Sequence, residues 1–252
     1  MSGPRPFVPA GYTFPAKPVL LVLLSITCLL TAASLTVFYY PGHIYTEEFV
    51  PHLLSGLKRL FDLDSAANIP SWYASSLILT ASALLAYIAY LKTPTQDAFL
   101  RYWQGLALIF LLLSADESAF FHDLLNNPLR AALGGEGFLL YPWVAAAALV
   151  SLLVVALYLR FLGHLPAKTR WLFVTAAVLF LGGSILIESW SSHLEALHGV
   201  ESFRYEAAMT LEEFGEMSGI NIFIYALLDY LNSPQAEAES VTSETSASTT
   251  SI

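Results

Sequence analysis

The stretch that decides the fold runs from Phe99 to Asp123, FLRYWQGLALIFLLLSADESAFFHD. Most of it is apolar, and as a helix it is long enough to cross about 30 Å of hydrocarbon. Its end places Asp116, Glu117, His122 and Asp123 where greasy side chains would be expected. Ionisable groups inside or at the rim of a membrane are expensive, so they mark functional candidates by default. Two later segments repeat the pattern, Ile187–His198 (IESWSSHLEALH) and Thr210–Gly219 (TLEEFGEMSG). What the chain can do depends on whether these three segments meet.

Composition supports the membrane reading. The 252 residues are 56% hydrophobic and only 12% charged, with a mean hydropathy of +0.60, which suits a polytopic membrane protein better than a soluble domain. A net charge of −9 and the lack of a basic stripe argue against nucleic acid as a partner. The single cysteine, Cys28, excludes an intramolecular disulfide and zinc sites built from several cysteines.

Taken in order, residues 1–17 carry Pro4, Pro6, Pro9 and Pro15 and read as a flexible lead. Residues 18–232 read as one all-α membrane bundle of six spans: 19–40, 72–91, 99–121, 139–162, 171–190 and 211–231. The first is too long for a signal-peptide core and is read as a retained helix. Residues 45–63 alternate apolar and charged groups at helical spacing, which fits an amphipathic surface helix limited by Pro51 or a structured loop. Residues 126–137, with Pro128, Gly134, Gly135 and Gly137, read as a loop. Residues 233–252 hold Ser, Thr, Ala and Glu with little to bury and read as a disordered tail.

Six spans put both termini on one side. Arg5, Lys17, Lys92, Arg101, Arg160, Lys168 and Arg170 fall on that side, and Lys58, Arg59, Arg130 and Arg204 on the other, so the positive-inside rule favours cytoplasmic termini. With that topology the three charged segments share the non-cytoplasmic end. Helical geometry puts Glu212 and Glu216 on one face with Glu213 beside them, and Glu188, Ser192 and Glu195 on another. Glu195-x-x-His198 has the spacing by which bundle helices bind two-metal centres. Carboxylates with histidine suit iron, manganese or zinc. The expected divalent metal site therefore comprises Asp116, Glu117, His122, Glu188, Glu195, His198, Glu212, Glu213 and Glu216. Thr210-Leu-Glu-Glu213 also fits a capping box at a helix start, another role for Glu213. Gly215 and Gly219 form a small-x-x-x-small pair that would draw the acidic face of the last span against a neighbour.

DESAFFHD after one span, GGSILIE in a later one and LEEFGEMSGINIFIYALLDYL at the end resemble an uncharacterised family of bacterial six-span membrane proteins over roughly residues 99–232. The resemblance implies a six-span fold in the bacterial plasma membrane, marks Asp116, Glu117, His122, Glu188, Glu212, Glu213 and Glu216, and implies no activity. Ser118-x-x-x-His122 is also similar to the first motif of the alkaline ceramidase and adiponectin-receptor superfamily of membrane hydrolases. That superfamily has seven spans and a late His-x-x-x-His, where this chain has His193-x-x-x-x-His198.

The leading expectation is a metal site serving a membrane enzyme, either a hydrolase acting on a lipid-like substrate or an oxygen-handling iron protein. The rivals are a cation- or proton-coupled transporter and a non-catalytic subunit of a membrane assembly or oligomer, with Arg130 and Arg204 as internal partners of the acids.

Overall fold

The computed structural model describes residues 13–39, 49–95 and 97–233, and among them there is no strand. Most of the expected lead, the first residues of the surface segment (45–48) and the tail from 234 lie outside the described residues. The helices are α1 (Ala16–Tyr39), α2 (Phe49–Phe61), α3 (Ile69–Lys92), α4 (Leu100–Ala119), α5 (Asn126–Leu133), α6 (Trp143–His164), α7 (Ala167–Leu181), α8 (Glu188–His198) and α9 (Phe203–Leu231). The fold is an all-α bundle.

Among the described residues, four stretches are long and apolar enough to cross a membrane: α1, α3, α6, and α7 with α8 as one continuous run, Ala167–His198. The third expected span, 99–121, is broken. Phe120 takes a left-handed conformation (φ 52°), its N–H closes on the Asp116 carbonyl, and the chain turns by 79° into a 3-10 turn, Phe121–Leu125, and then α5. Part of the expected loop at 126–137 is therefore α5.

The sixth expected span is longer than the sequence suggests. α9 starts at Phe203, where the Ser202 side chain accepts a hydrogen bond from Tyr205 N–H, and runs about 43 Å at 1.5 Å per residue. Thr210 is thus in mid-helix, and the capping-box role for Glu213 does not hold. Four glutamates and Asp229 make α9 too polar to face lipid, and it takes the inner place instead. Met217, Ile224, Leu227 and Asn221 on α9 are almost completely buried, packed among α1, α3 and α7. α6 is the opposite case: Leu149, Leu152, Leu157 and Leu159 are all exposed, the surface a hydrocarbon environment would cover.

Two glycine contacts bring α7 onto α9. A Cβ on Gly219 would stand 2.8 Å from the Phe180 nitrogen and 2.9 Å from the Ala176 oxygen, so only glycine allows this approach. Gly183 lies in a π-turn, Gly182–Ile187, that joins α7 to α8. There a Cβ would meet Glu216 Cγ at 2.8 Å and the Glu212 carbonyl at 2.9 Å. Such turns in a long helix often accompany functional sites, and this one lies directly against the acidic turns of α9.

Candidate functional site

The acidic turns of α9 meet α3, α4 and the α7–α8 run at one end of the bundle. Glu117 from α4 and Glu213 and Glu216 from α9 line a void of ≈ 10 Å³, closed by Leu77 and Ile78 of α3 and Phe180 of α7. That is room for about one water molecule or a bare ion. Glu212 is buried beside it and accepts a hydrogen bond from Ser191 Oγ at 2.8 Å. Glu188, at the start of α8, accepts one from Trp143 Nε1 at 3.1 Å. All five carboxylates interact electrostatically with at least one other of the group. Among the described residues, none lies within 4 Å of a lysine, arginine or histidine nitrogen.

The other end of the bundle is built differently. There Lys92 Nζ pairs with Asp97 at 2.7 Å and Lys168 with Asp229. Asp97, in the α3–α4 loop, is held below the usual carboxylate range: burial opposes this, but the Lys92 ammonium and the Phe99 N–H outweigh it. Acids at that end are paired with lysines, and among the described residues the glutamates of the pocket are not.

The rest of the expected site is distributed around the rim. His122 does not sit one helical turn from Ser118, because the helix breaks at Phe120. Instead its Nδ1 and Asp116 Oδ2 are 2.8 Å apart, and its backbone N–H donates to Asp116 Oδ1 at 2.9 Å. Its ring lies 4.2 Å from that of Trp143, which links it to Glu188. Ser118 Oγ meets Ser75 Oγ at 2.7 Å, so the Ser–His spacing shared with the ceramidase motif has no counterpart in contact.

Glu195 accepts from the Tyr141 hydroxyl at 3.0 Å, and exposed His198 pairs with Arg204 at 3.0 Å. Each side chain of the Glu195-x-x-His198 pair is thus taken up by a different neighbour. His193 stacks on Phe138 with ring centroids 4.1 Å apart. Arg130 donates to the Leu140 carbonyl, so neither arginine neutralises the pocket. Among the described residues, no three His, Cys, Asp or Glu side chains are grouped so as to hold a metal ion. The nine expected ligands do not form a single centre: five are pocket acids, Asp116 and His122 form a rim pair, and two are separate.

Sequence reasoning missed a further acidic element at the same end. Asp64, in the α2–α3 loop, accepts from the Tyr205 hydroxyl at 2.8 Å, and buried Glu206 lies near Lys58 and Asp62. A longer α9 would have revealed Glu206, which shares a helical face with Glu213 seven residues on. The Asp64 residue is exposed as a whole, but its carboxyl is tucked against Tyr205. Desolvation, with Asp62 and Glu195 nearby, pushes it up to about 6, against the Tyr205 hydrogen bond. The sign follows from the raised value. The folded state binds the extra proton, so this contribution to stability is complete below about pH 4 and is lost as pH rises through about 6. Asp64→Asn should flatten the fall in melting temperature between those pH values in detergent; an unchanged slope would contradict this.

The chain matches the family described as Domain of unknown function (DUF8692) over residues 23–231, and it belongs to that family. No curated protein and no solved structure matches it.

Proposed function

We propose that the chain is an integral membrane protein whose acidic pocket binds a cation reversibly, with protons and a hard divalent ion competing for it. The observation that carries this reading is that Glu117, Glu213 and Glu216 line one small void with no salt-bridge partner among the described residues; they do not form a preformed metal centre, so a cation would have to draw the carboxylates together as it binds. Carboxylates gathered in a low-dielectric region repel one another and lose hydration, so neutrality calls for bound cations. The donor set favours a hard ion such as manganese over zinc, because it is all oxygen. His122, the histidine nearest the group, is engaged by Asp116 at the rim. Hydrolytic zinc and oxygen-handling iron sites usually include histidine ligands, so the carboxylate pocket supports cation exchange of the kind a coupled carrier uses.

The test uses the full chain, purified in detergent in a weakly buffered solution. Manganese should release protons into the medium and raise the melting temperature, with the larger release at lower pH within the folded range. Absence of both responses with manganese, magnesium, calcium and zinc would overturn the reading.

A further inference from the structure

Between α1 and α9 runs a polar layer that the protein's own groups leave unsatisfied. Two cross-links set these helices antiparallel: Phe14 with Asn232 at one end, and Thr27 with Asn221 midway. Thr27 and Asn221 are completely buried. Asn221 Nδ2 donates to Thr27 Oγ1 at 2.8 Å, and Tyr73 donates to the carbonyl of Leu23, one turn before Thr27 on α1, at 2.8 Å. With Nδ2 spent on Thr27, the amide turns Asn221 Oδ1 away from that bond. Oδ1 has no partner.

Thr31 lies one turn past Thr27 on α1, and Ser218 one turn before Asn221 on α9, so the antiparallel register places them in the same layer. Thr31 Oγ1 and Ser218 Oγ are likewise shielded from solvent and without partners. Buried oxygens of this kind are normally met by water. The set is neutral and small, which suits water better than a stripped cation needing six or so oxygen ligands. Further along α9 towards its C-terminus, Ile224 and Leu227 are buried and apolar and bound the layer. On its flank stands Met217, which also lines the acidic pocket.

We propose that a small cluster of ordered water occupies the α1–α9 seam against Asn221 Oδ1, Ser218 Oγ and Thr31 Oγ1, adjoins the acidic pocket and supplies the water that its cation carries. The link to the cation rests on the proposed function; the water cluster itself does not. Hydroxyl-radical footprinting of the full chain in detergent reads bound water directly, because radicals form where water sits. Ile220 and Ile224 should be labelled several-fold faster than Leu85 and Ile88, which are equally buried but lie away from the layer. Ser218→Ala with Asn221→Leu should return Ile224 to the slow rate. Equal rates in the unsubstituted protein would overturn the proposal, whether or not the variant folds. Fast labelling without any cation response would leave the water in place and remove the cation reading, so the two failures are separable.

Discussion

Replacing Gly219 with valine is expected to destabilise the bundle by about 3 kcal/mol and to lower its melting temperature in detergent by roughly 10 °C. The new Cβ would stand 2.8 Å from the Phe180 nitrogen and 2.9 Å from the Ala176 oxygen, both backbone atoms of α7. A backbone held in a helix cannot turn aside as a flexible side chain can, so α7 must move away from α9. Other glycines provide graded controls. Gly215 has only the Leu179 oxygen at 3.6 Å, an ordinary contact, and should accept alanine. Gly163, near the end of α6, meets nothing within 4 Å, and alanine there should stabilise slightly through helix propensity. The consequence also reaches the site. α7 continues into the π-turn that sets Gly183 against Glu212 and Glu216, so separation of α7 from α9 should weaken the response to manganese as well. A Gly219→Val protein that melts with the parent and responds to manganese would show that this contact does not hold the pocket together.

Much of the architecture was legible because hydrophobic length is a strong signal. The helices expected near 19–40, 72–91 and 139–162 stand at Ala16–Tyr39, Ile69–Lys92 and Trp143–His164. Asn68 and Pro70 add local signals at the second: the Asn68 side chain accepts from Ser71 N–H, and Ser71 Oγ accepts from Asn68 N–H. The close approach at Gly219 was legible for the same kind of reason, since a small residue has no competing function in an apolar seam. What failed depended on single backbone angles and on partners distant in sequence. Nothing in DESAFFHD announces that Phe120 adopts a left-handed conformation and detaches His122 from the helical face of Ser118. Nothing in LEALH announces that Tyr141 will take Glu195. Periodicity assumes an unbroken helix and says which residues share a face; it does not say what stands opposite. The convergence of Glu117, Glu188, Glu212, Glu213 and Glu216 was readable because each sits inside or at the end of a span, where an acid is out of place.

Neutralising two of those acids should give the largest change in ligand response. Glu213→Gln with Glu216→Gln is expected to raise the melting temperature of the cation-free protein at neutral pH and to abolish the rise caused by manganese. The two effects have one origin. Both carboxylates face the same void, and no basic side chain among the described residues offsets them. Amides of the same shape remove their mutual repulsion but leave nothing to attract a cation. For the parent, a ligand at a hundred times its dissociation constant adds about 2.7 kcal/mol, or roughly 5–10 °C for a chain of this size. The double variant should lose that entire increment. Glu195→Gln is the discriminating control, because the structure assigns Glu195 to Tyr141 and outside the pocket lining. It should keep the parent's full response to manganese. If Glu195→Gln lost the response and the double variant kept it, the cation would sit at the rim beside Tyr141 and His198, and the carboxylate pocket would be a structural feature of α9 alone.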